Sequence, residues 1–164
     1  MPASDDPRAG DPLDLRITRE FEVPRSVVYE VWTNVEHLEA WWGPKDYTTE
    51  DVEIDFRVGG RYRIRIRDKG GKVSAMHGVY SEITPPERLS FSHRWENDDG
   101  SLSPDTSVTV TFEEVGAKTR LTFAQSGLQS DKERDSHRDG WDELLTKLGD
   151  FLDHRRARTM GRGS

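Results

Sequence analysis

The chain has 164 residues, a length that suits one domain; 32% of them are hydrophobic and 34% are charged. Its formal net charge of −7 argues against general nucleic-acid binding, because contacts to phosphates need a basic face. The absence of cysteine excludes disulfides, thiol nucleophiles and thiolate metal sites, and it fits a cytoplasmic protein.

Both ends of the chain have compositions typical of tails outside a folded domain. Residues 1–13 are acidic and rich in proline, and they carry neither the basic nor the apolar region of a secretory signal. Residues 156–164 are basic and rich in glycine. We therefore expect a disordered N-terminal tail, one domain over residues 14–155 and a disordered C-terminal tail. We expect no membrane insertion, because the sequence lacks an apolar run of the roughly 20 residues that a spanning helix needs.

The first third of the chain predicts a strand followed by two short helices. In "LDLRITREFEV", apolar and polar residues alternate, which is the pattern of a strand. Pro24 suits the first turn of a helix that Asn34 interrupts. The segment "VEHLEAWW" predicts a second short helix, which Gly43 and Pro44 stop.

The middle of the chain predicts an antiparallel meander. Strand patterns occur in six segments: "DVEIDF", "RYRIRIR", "SAMHGVYSEI", "RLSFSHRW", "DTSVTVTFEEV" and "TRLTFAQ". Short connections at residues 59–60, 84–86 and 116–117 join these segments in pairs. Short turns between alternating strands are typical of antiparallel pairing.

A long helix is predicted near the C-terminus. Ser130 and Glu133 form a capping box at its start. Its apolar face carries side chains at helical spacing, namely His137, Trp141, Leu144, Leu145, Leu148, Phe151 and Leu152. A helix of about 24 residues is ~36 Å long and can cross a whole sheet. The element order therefore predicts an α+β fold, in which a curved antiparallel sheet packs around a long C-terminal helix.

Arginine occupies every second position of residues 61–67, and carboxylates occupy every second position of residues 51–55. If these strands form a hairpin with their apolar faces together, the carboxylates lie beside the arginines. Tyr62, Ile64 and Ile66 then point inward, toward the long helix. We interpret the arginines as a solvated, charge-paired outer face; a binding surface for an acidic partner is the alternative.

Bulky aromatic residues indicate either a plain core or the wall of a cavity. Trp41 and Trp42 are about 100° apart around a helix, so we expect one in the core and the other at the edge of an enclosed space. Trp95 ends a strand and Trp141 lies on the long helix. Indole rings suit an apolar wall that must also offer a few donors, and Gly140 beside Trp141 leaves room for close packing or for a ligand.

The five histidines show no metal-binding or catalytic spacing. His137 lies on the apolar helix face, and His93 lies on a strand next to that of His77. Three readings stay open for His93 and His137: a structural histidine, a polar contact inside a pocket, or an acid–base catalyst. The sequence also lacks a nucleophile elbow, a phosphate-binding loop and a dinucleotide fingerprint. We therefore predict no catalytic residue, no metal site and no cofactor.

Five segments together resemble a known family: "FEVPRSVVYEVWTNVEHLEAWWGP", "RVGGRYRIRI", "HGVYSEITPPERLSFSHRW", "VTVTFEEVGAKTRLTF" and "HRDGWDELLTKLGDFL". They run from about Leu15 to Leu152 and resemble the START-like or Bet v 1-like (SRPBCC) superfamily. Within it, the chain is similar to single-domain bacterial proteins that resemble the C-terminal domain of the activator of Hsp90 ATPase. The resemblance implies a helix-grip fold, in which the long helix closes an apolar cavity against the sheet.

The resemblance also implies where a ligand would bind. Together with the residue patterns it gives a candidate ligand site of Trp41, Trp42, Tyr62, Ile64, Met76, His93, Trp95, His137, Trp141 and Leu145. We expect a small hydrophobic or aromatic molecule as the partner. A polyketide cyclase- or hydrolase-like enzyme that uses a pocket histidine is one alternative, and a protein-interaction module is another. We do not expect an Hsp90-type chaperone as partner, because the sequence lacks the additional N-terminal domain of the eukaryotic co-chaperone. Dimerisation is possible in this family, so the resemblance does not decide between a monomer and a homodimer.

Overall fold

The computed structural model describes residues 14–34, 37–38, 41–42, 47–97 and 99–162, with side chains described up to His154. These residues form an α+β helix-grip fold, in which a curved antiparallel sheet packs against a long C-terminal helix. The predicted fold class is confirmed. The predicted N-terminal tail, residues 1–13, lies outside the described residues.

The sheet has seven strands, all paired in antiparallel fashion. They are β1 (Leu15–Phe21), β2 (Thr48–Ile54), β3 (Arg61–Arg67), β4 (Val73–Thr84), β5 (Arg88–Trp95), β6 (Thr106–Val115) and β7 (Lys118–Ser126). Their spatial order is β1-β7-β6-β5-β4-β3-β2. The strands β2 to β7 are therefore a meander, as the short turns predict, and the first strand closes onto the last.

Helix α1 (Arg25–Thr33) follows β1 and covers one part of the sheet. Pro24 is its N-cap, and the backbone N–H of Asn34 donates to the carbonyl of Glu30 at its C-terminal end. The predicted second short helix lies only partly within the described residues. There, Leu38 N–H donates to Asn34 O and Trp42 N–H donates to Leu38 O, which is the hydrogen-bond spacing of an α-helix.

Helix α2 (Asp131–Arg162) has 32 residues and is longer than the sequence pattern indicates. The predicted cap at its start is present, because the Glu133 backbone N–H donates to Ser130 Oγ at 3.1 Å. Its backbone continues into the segment predicted as a C-terminal tail, since no proline interrupts it. The division into a domain at residues 14–155 and two tails stays a prediction.

The core lies between the inner face of the sheet and the two helices. Tyr62, Ile64 and Ile66 of β3 are all buried, as their alternation with arginine predicts. Leu144 and Leu148 of α2 are buried on the opposite side. Among the described residues, no helix combines the length and the apolar composition needed to cross a membrane.

Candidate functional site

A cavity of about 390 Å³ lies between the first half of α2 and the strands β3 and β4. Its apolar and aromatic walls are Tyr47, Ile66, Met76, Trp95, Trp141 and Leu144. Ile66 continues the inward row of β3, and Met76 lies near it on β4. Trp141 and Leu144 are buried side chains of α2 that face the sheet across the cavity.

The polar lining of the cavity comes mainly from α2. Ser136, Asp139 and Glu143 follow one another at helical spacing, so that they lie on one stripe of the helix. Ser136 and Asp139 are exposed, and the cavity therefore reaches solvent along this stripe. Gly140 lies between Asp139 and Glu143 and lines the cavity as well, which places the backbone of α2 at the wall.

The ten predicted site residues divide into three groups. Four of them line the cavity, namely Met76, Trp95, His137 and Trp141. Three line a separate void of about 20 Å³, namely Trp42, Tyr62 and Ile64. The other three are buried outside the described linings of both spaces, namely Trp41, His93 and Leu145. The small void has room for about one water molecule, so the second group packs as core.

Trp41 and Trp42 are both buried, and their rings lie 5.5 Å apart. Trp41 Nε1 donates to the carbonyl of Val31 at 3.0 Å, which ties it to α1. Trp42 Nε1 points at Met76 Sδ at 3.4 Å, and its ring lies 5.9 Å from that of Trp141. Because Met76 and Trp141 both line the cavity, Trp42 supports the cavity wall from behind.

His137 and Trp95 form a hydrogen-bonded pair at the cavity wall. His137 Nδ1 lies 2.9 Å from the carbonyl oxygen of Glu133, so that this nitrogen carries the proton and donates it. His137 Nε2 then accepts from Trp95 Nε1 at 3.3 Å. Both imidazole nitrogens are therefore engaged, and His137 exchanges a proton with a ligand only if one of these bonds opens.

His93 lies on β5 behind these rings and is only 1% exposed. Its ring is 5.2 Å from that of Trp141 and 6.2 Å from that of His137. Burial, helped by the nearby His137 and His77, lowers the pKa of His93 to about 3. His93 is therefore neutral at pH 7, and among the described residues its Nε2 has no hydrogen-bond partner.

A buried polar chain, which sequence reasoning missed, holds Trp141 in place. Trp141 Nε1 donates to Gln125 Oε1 at 2.8 Å, and Gln125 Nε2 donates to Thr106 Oγ1 at 2.9 Å. Thr106 Oγ1 in turn donates to the carbonyl of His93 at 2.8 Å. The signal was present in the sequence, because Gln125 continues the inward row of Leu121 and Phe123 on β7.

The cavity stripe on α2 was also missed, apart from Gly140. Its members stand at positions 136, 139, 140 and 143, a helical row in which small and acidic residues occur beside the leucines. Where small or acidic residues replace leucine along one face of a helix, that part of the face can lie outside the packed core. No comparable sequence pattern indicated that Tyr47 and Ser74 line the cavity.

The arginines of β3 lie on the outer face, as predicted, but their partners differ in part. Arg65 lies 3.8 Å from Asp51, and Arg67 pairs with Glu50. Arg63, which stands opposite Glu53 in the register, instead forms a two-pronged ion pair with Glu96 at 2.7 and 3.1 Å. The register confirms that the carboxylates of residues 51–55 lie beside the arginines, but Arg63 and Arg67 form their ion pairs with Glu96 and Glu50, because the residue after β5 reaches Arg63 across β4.

The Arg63–Glu96 pair borders a shallow concavity of about 620 Å³ on the outer face. The hydrogen bond between Arg63 and Glu96 raises the pKa of the guanidinium and lowers that of the carboxyl. Arg94 pairs with Asp105 at 2.7 Å in the same area. Positive and negative groups alternate there, so the concavity has no single-sign field that would attract an acidic partner. Among the described residues, no group of three histidine or acidic side chains is arranged to hold a metal ion.

Comparison with known proteins gives a family and a fold. The family model described as Activator of Hsp90 ATPase homolog 1-like protein matches residues 22–153. No curated protein matches the chain significantly.

Solved structures of bacterial proteins share the fold over most of this chain. A crystal structure from Silicibacter pomeroyi is 25% identical, covers 87% of this chain and 99% of its own, and has a TM-score of 0.79. One from Chromobacterium violaceum is 25% identical, with coverages of 83% and 94% and a TM-score of 0.73. One from Nitrosomonas europaea, at 24% identity, covers 90% and 99% with a TM-score of 0.75, and this likeness supports the fold alone.

Proposed function

The chain belongs to the family of Activator of Hsp90 ATPase homolog 1-like proteins, and we propose that it binds a small hydrophobic or aromatic molecule in the cavity between α2 and the sheet. The observation that carries this proposal is the cavity of about 390 Å³. That volume lies within the range of roughly 300–1,000 Å³ that small-molecule sites occupy. The exposed Ser136 and Asp139 at its border give a ligand a route from solvent.

The lining has the composition that a binding site for such a molecule needs. Trp95, Trp141 and Met76 offer large apolar surfaces, and burial of a ligand against them contributes roughly 25 cal/mol for each Å² of apolar surface removed from water. The hydroxyl groups of Ser74 and Ser136 offer a small number of polar contacts. A mostly apolar wall with few polar groups favours aromatic and hydrophobic ligands over sugars or nucleotides.

The walls are also held in position before a ligand arrives. Trp141 is fixed through its bond to Gln125, and Trp95 through its bond to His137. His137 is itself anchored to the carbonyl of Glu133. Side chains that are already ordered lose little conformational entropy when a ligand binds, and this favours affinity.

The test uses a variant that adds a large side chain at the cavity wall. In Gly140→Leu, the new side chain starts at the cavity wall, and leucine is more favourable in a helix than glycine by about 0.8 kcal/mol. Gly149→Ala is the matched control, because Gly149 lies on the same helix outside the described lining. An added Cβ there would meet the Phe21 ring at 3.5 Å, an ordinary contact.

The measurement is a thermal-shift screen against aromatic polyketides, fatty acids and sterols. A ligand at 100 times its dissociation constant should stabilise the wild type and Gly149→Ala by about 2.7 kcal/mol. Gly140→Leu should melt no lower than the wild type, yet lose the shift. If the filled variant binds the same ligand with the same affinity, the ligand lies elsewhere and the proposal is wrong.

A further inference from the structure

We propose that the cavity selects for positive charge, so that its ligand is an organic cation such as an aromatic or hydrophobic amine. This inference rests on the proposed binding function and specifies the charge of the ligand. It follows from three features of the lining: its carboxylates, its aromatic faces and the engagement of its indole N–H groups.

The first feature is the charge of the helix stripe. Asp139 and Glu143 line the cavity from successive turns of α2, and the lining residues that the structure describes include no lysine or arginine. Within the same part of the chain, neither carboxylate has a hydrogen bond or an ion pair. By contrast, Asp142 on the neighbouring side of the helix is paired with Arg19 at 2.8 Å. The cavity therefore faces carboxylates that lack a described protein partner.

One amine lies nearby, and it does not cancel this charge. Lys147 is one turn beyond Glu143, and Glu143 raises the pKa of its ammonium group, although burial has the larger effect and lowers that pKa. Its Nζ donates to the carbonyls of Trp42 and Tyr47, both at 3.4 Å. Even if Lys147 fully offsets Glu143, the carboxylate of Asp139 leaves the described lining negative.

The second feature is the aromatic wall. Tyr47, Trp95 and Trp141 all line the space that the carboxylates border. The face of an aromatic ring carries partial negative charge and attracts a cation within about 6 Å of its centre, and tryptophan does this best. Aromatic faces combined with carboxylates are the chemistry that recognises an ammonium group on an apolar body.

The third feature disfavours anions. A carboxylate or phosphate ligand would need donors, and the described lining offers only neutral hydroxyl groups, such as those of Ser74 and Ser136. The indole N–H groups are not free, because Trp141 Nε1 is engaged by Gln125 and Trp95 Nε1 by His137. Because the proton of His137 is directed at the carbonyl of Glu133, the imidazole is not a free donor either. An anion would then lose its hydration beside Asp139 and Glu143 without gaining a charged partner among the described residues.

The experiment measures the charge preference with three probes that share one ring system. These are 1-naphthylmethylamine, 1-naphthalenemethanol and 1-naphthoic acid, titrated calorimetrically into the protein at pH 7 and low salt. We expect the amine to bind roughly tenfold more tightly than the alcohol, and the acid most weakly. The double variant Asp139→Asn/Glu143→Gln should lose most of this preference, because only the aromatic faces then attract the amine, while it keeps the affinity for the alcohol.

The matched control is Asp150→Asn, because Asp150 is an exposed carboxylate of α2 outside the described lining. This variant should keep the full preference for the amine. The single variants Asp139→Asn and Glu143→Gln should each remove part of the preference for the amine. They replace the double variant in the experiment if the double variant does not fold. The preference should also shrink as the salt concentration rises.

The outcomes separate this inference from the function on which it rests. If the wild type binds the alcohol and the amine equally, or prefers the acid, the charge selectivity is wrong and the binding function stands. If the double variant retains the full preference, the carboxylates do not cause it and the inference is equally wrong. If the wild type binds none of the three probes and nothing in the broader screen, both proposals fail.

Discussion

The interior of this protein has two ends that are built from the same kinds of residue yet differ in packing. Around Trp32, Trp42 and Tyr62, the space left between side chains is about 20 Å³. Around Trp95 and Trp141, it is about 390 Å³. Large aromatic residues occur at both ends, so aromatic content does not by itself distinguish a core from a cavity.

The difference comes from the element that covers each end. The small void is lined by Trp32 of α1 and by Leu38, which fill the space above β3. The cavity is covered by the α2 stripe of Ser136, Asp139, Gly140 and Glu143, none of which is buried. The packed end is thus covered by large apolar side chains, and the cavity by small and polar ones.

The largest expected effect is a difference in stability between substitutions at the packed end and at the cavity end. Trp41→Ala should cost about 3–5 kcal/mol of unfolding free energy, because Trp41 is 1% exposed and its removal opens a void in packed core. Trp95→Ala should cost clearly less, because Trp95 borders a space that is already open. Urea denaturation of both variants measures the difference. Equal losses would show that the cavity end is packed as tightly as the other.

The next effect concerns His93, which lies between the two ends. Its folded-state pKa of about 3 lies below the unfolded value, so the unfolded chain binds more protons as the pH falls below about 6.5. The contribution of His93 to stability should therefore be complete above about pH 6.5. It should fall by about 2 kcal/mol between pH 7 and pH 5, and continue to fall toward pH 3.

Denaturant unfolding at pH 7 and pH 5 measures this loss. His93→Gln should remove most of it, whereas His154→Gln, at an exposed position on α2, should leave it unchanged. A wild type equally stable at both pH values would mean that His93 becomes protonated without unfolding the protein.

A smaller effect is expected from the polar chain behind the cavity wall. Gln125→Met should cost about 1–3 kcal/mol, because Trp141 Nε1 loses its acceptor and Thr106 Oγ1 loses its donor. It should also weaken ligand binding, since the Trp141 ring is no longer fixed. Thermal melting and the ligand screen measure the two effects. A variant as stable as the wild type would show that water or a neighbouring group replaces the amide.

The smallest effect is expected on the outer face of the sheet. Arg63→Gln should cost no more than about 1 kcal/mol, because the Arg63–Glu96 pair is partly exposed and screened by salt. The loss should decrease further in high salt. A loss as large as that of Trp41→Ala would mean that the outer face, and not only the core, holds the sheet together.

Much of the fold follows from local pattern. The alternation in residues 61–67 is enough to predict which side chains of β3 are buried, because neighbouring residues of a strand point to opposite faces. The position of α2 follows from its cap at Ser130 and its apolar spacing. The end of α2 does not follow, since neither propensity nor spacing marks a clear stop there.

The site was predicted less well, because its position depends on distances between elements. Trp42 and Tyr62 were included in the candidate site because of the family resemblance and their expected positions, and they line the small void of the packed end. The partner of Arg63 was missed, since Glu96 is remote in sequence and becomes a neighbour only when the sheet forms. Gln125 shows the opposite case, in which a polar residue in an inward row was a readable signal of a buried hydrogen bond.

The hydrogen bond from Trp95 to His137 also gives the protein an optical reporter of its own. Indole emission depends on the polarity around the ring and on the group that accepts its N–H. A molecule that enters the cavity would change the polarity around Trp95, while Trp41, outside the cavity lining, keeps its hydrogen bond to Val31. The tryptophans of a single chain thus combine a sensor and an internal reference, and occupancy of the cavity can be read without any attached dye.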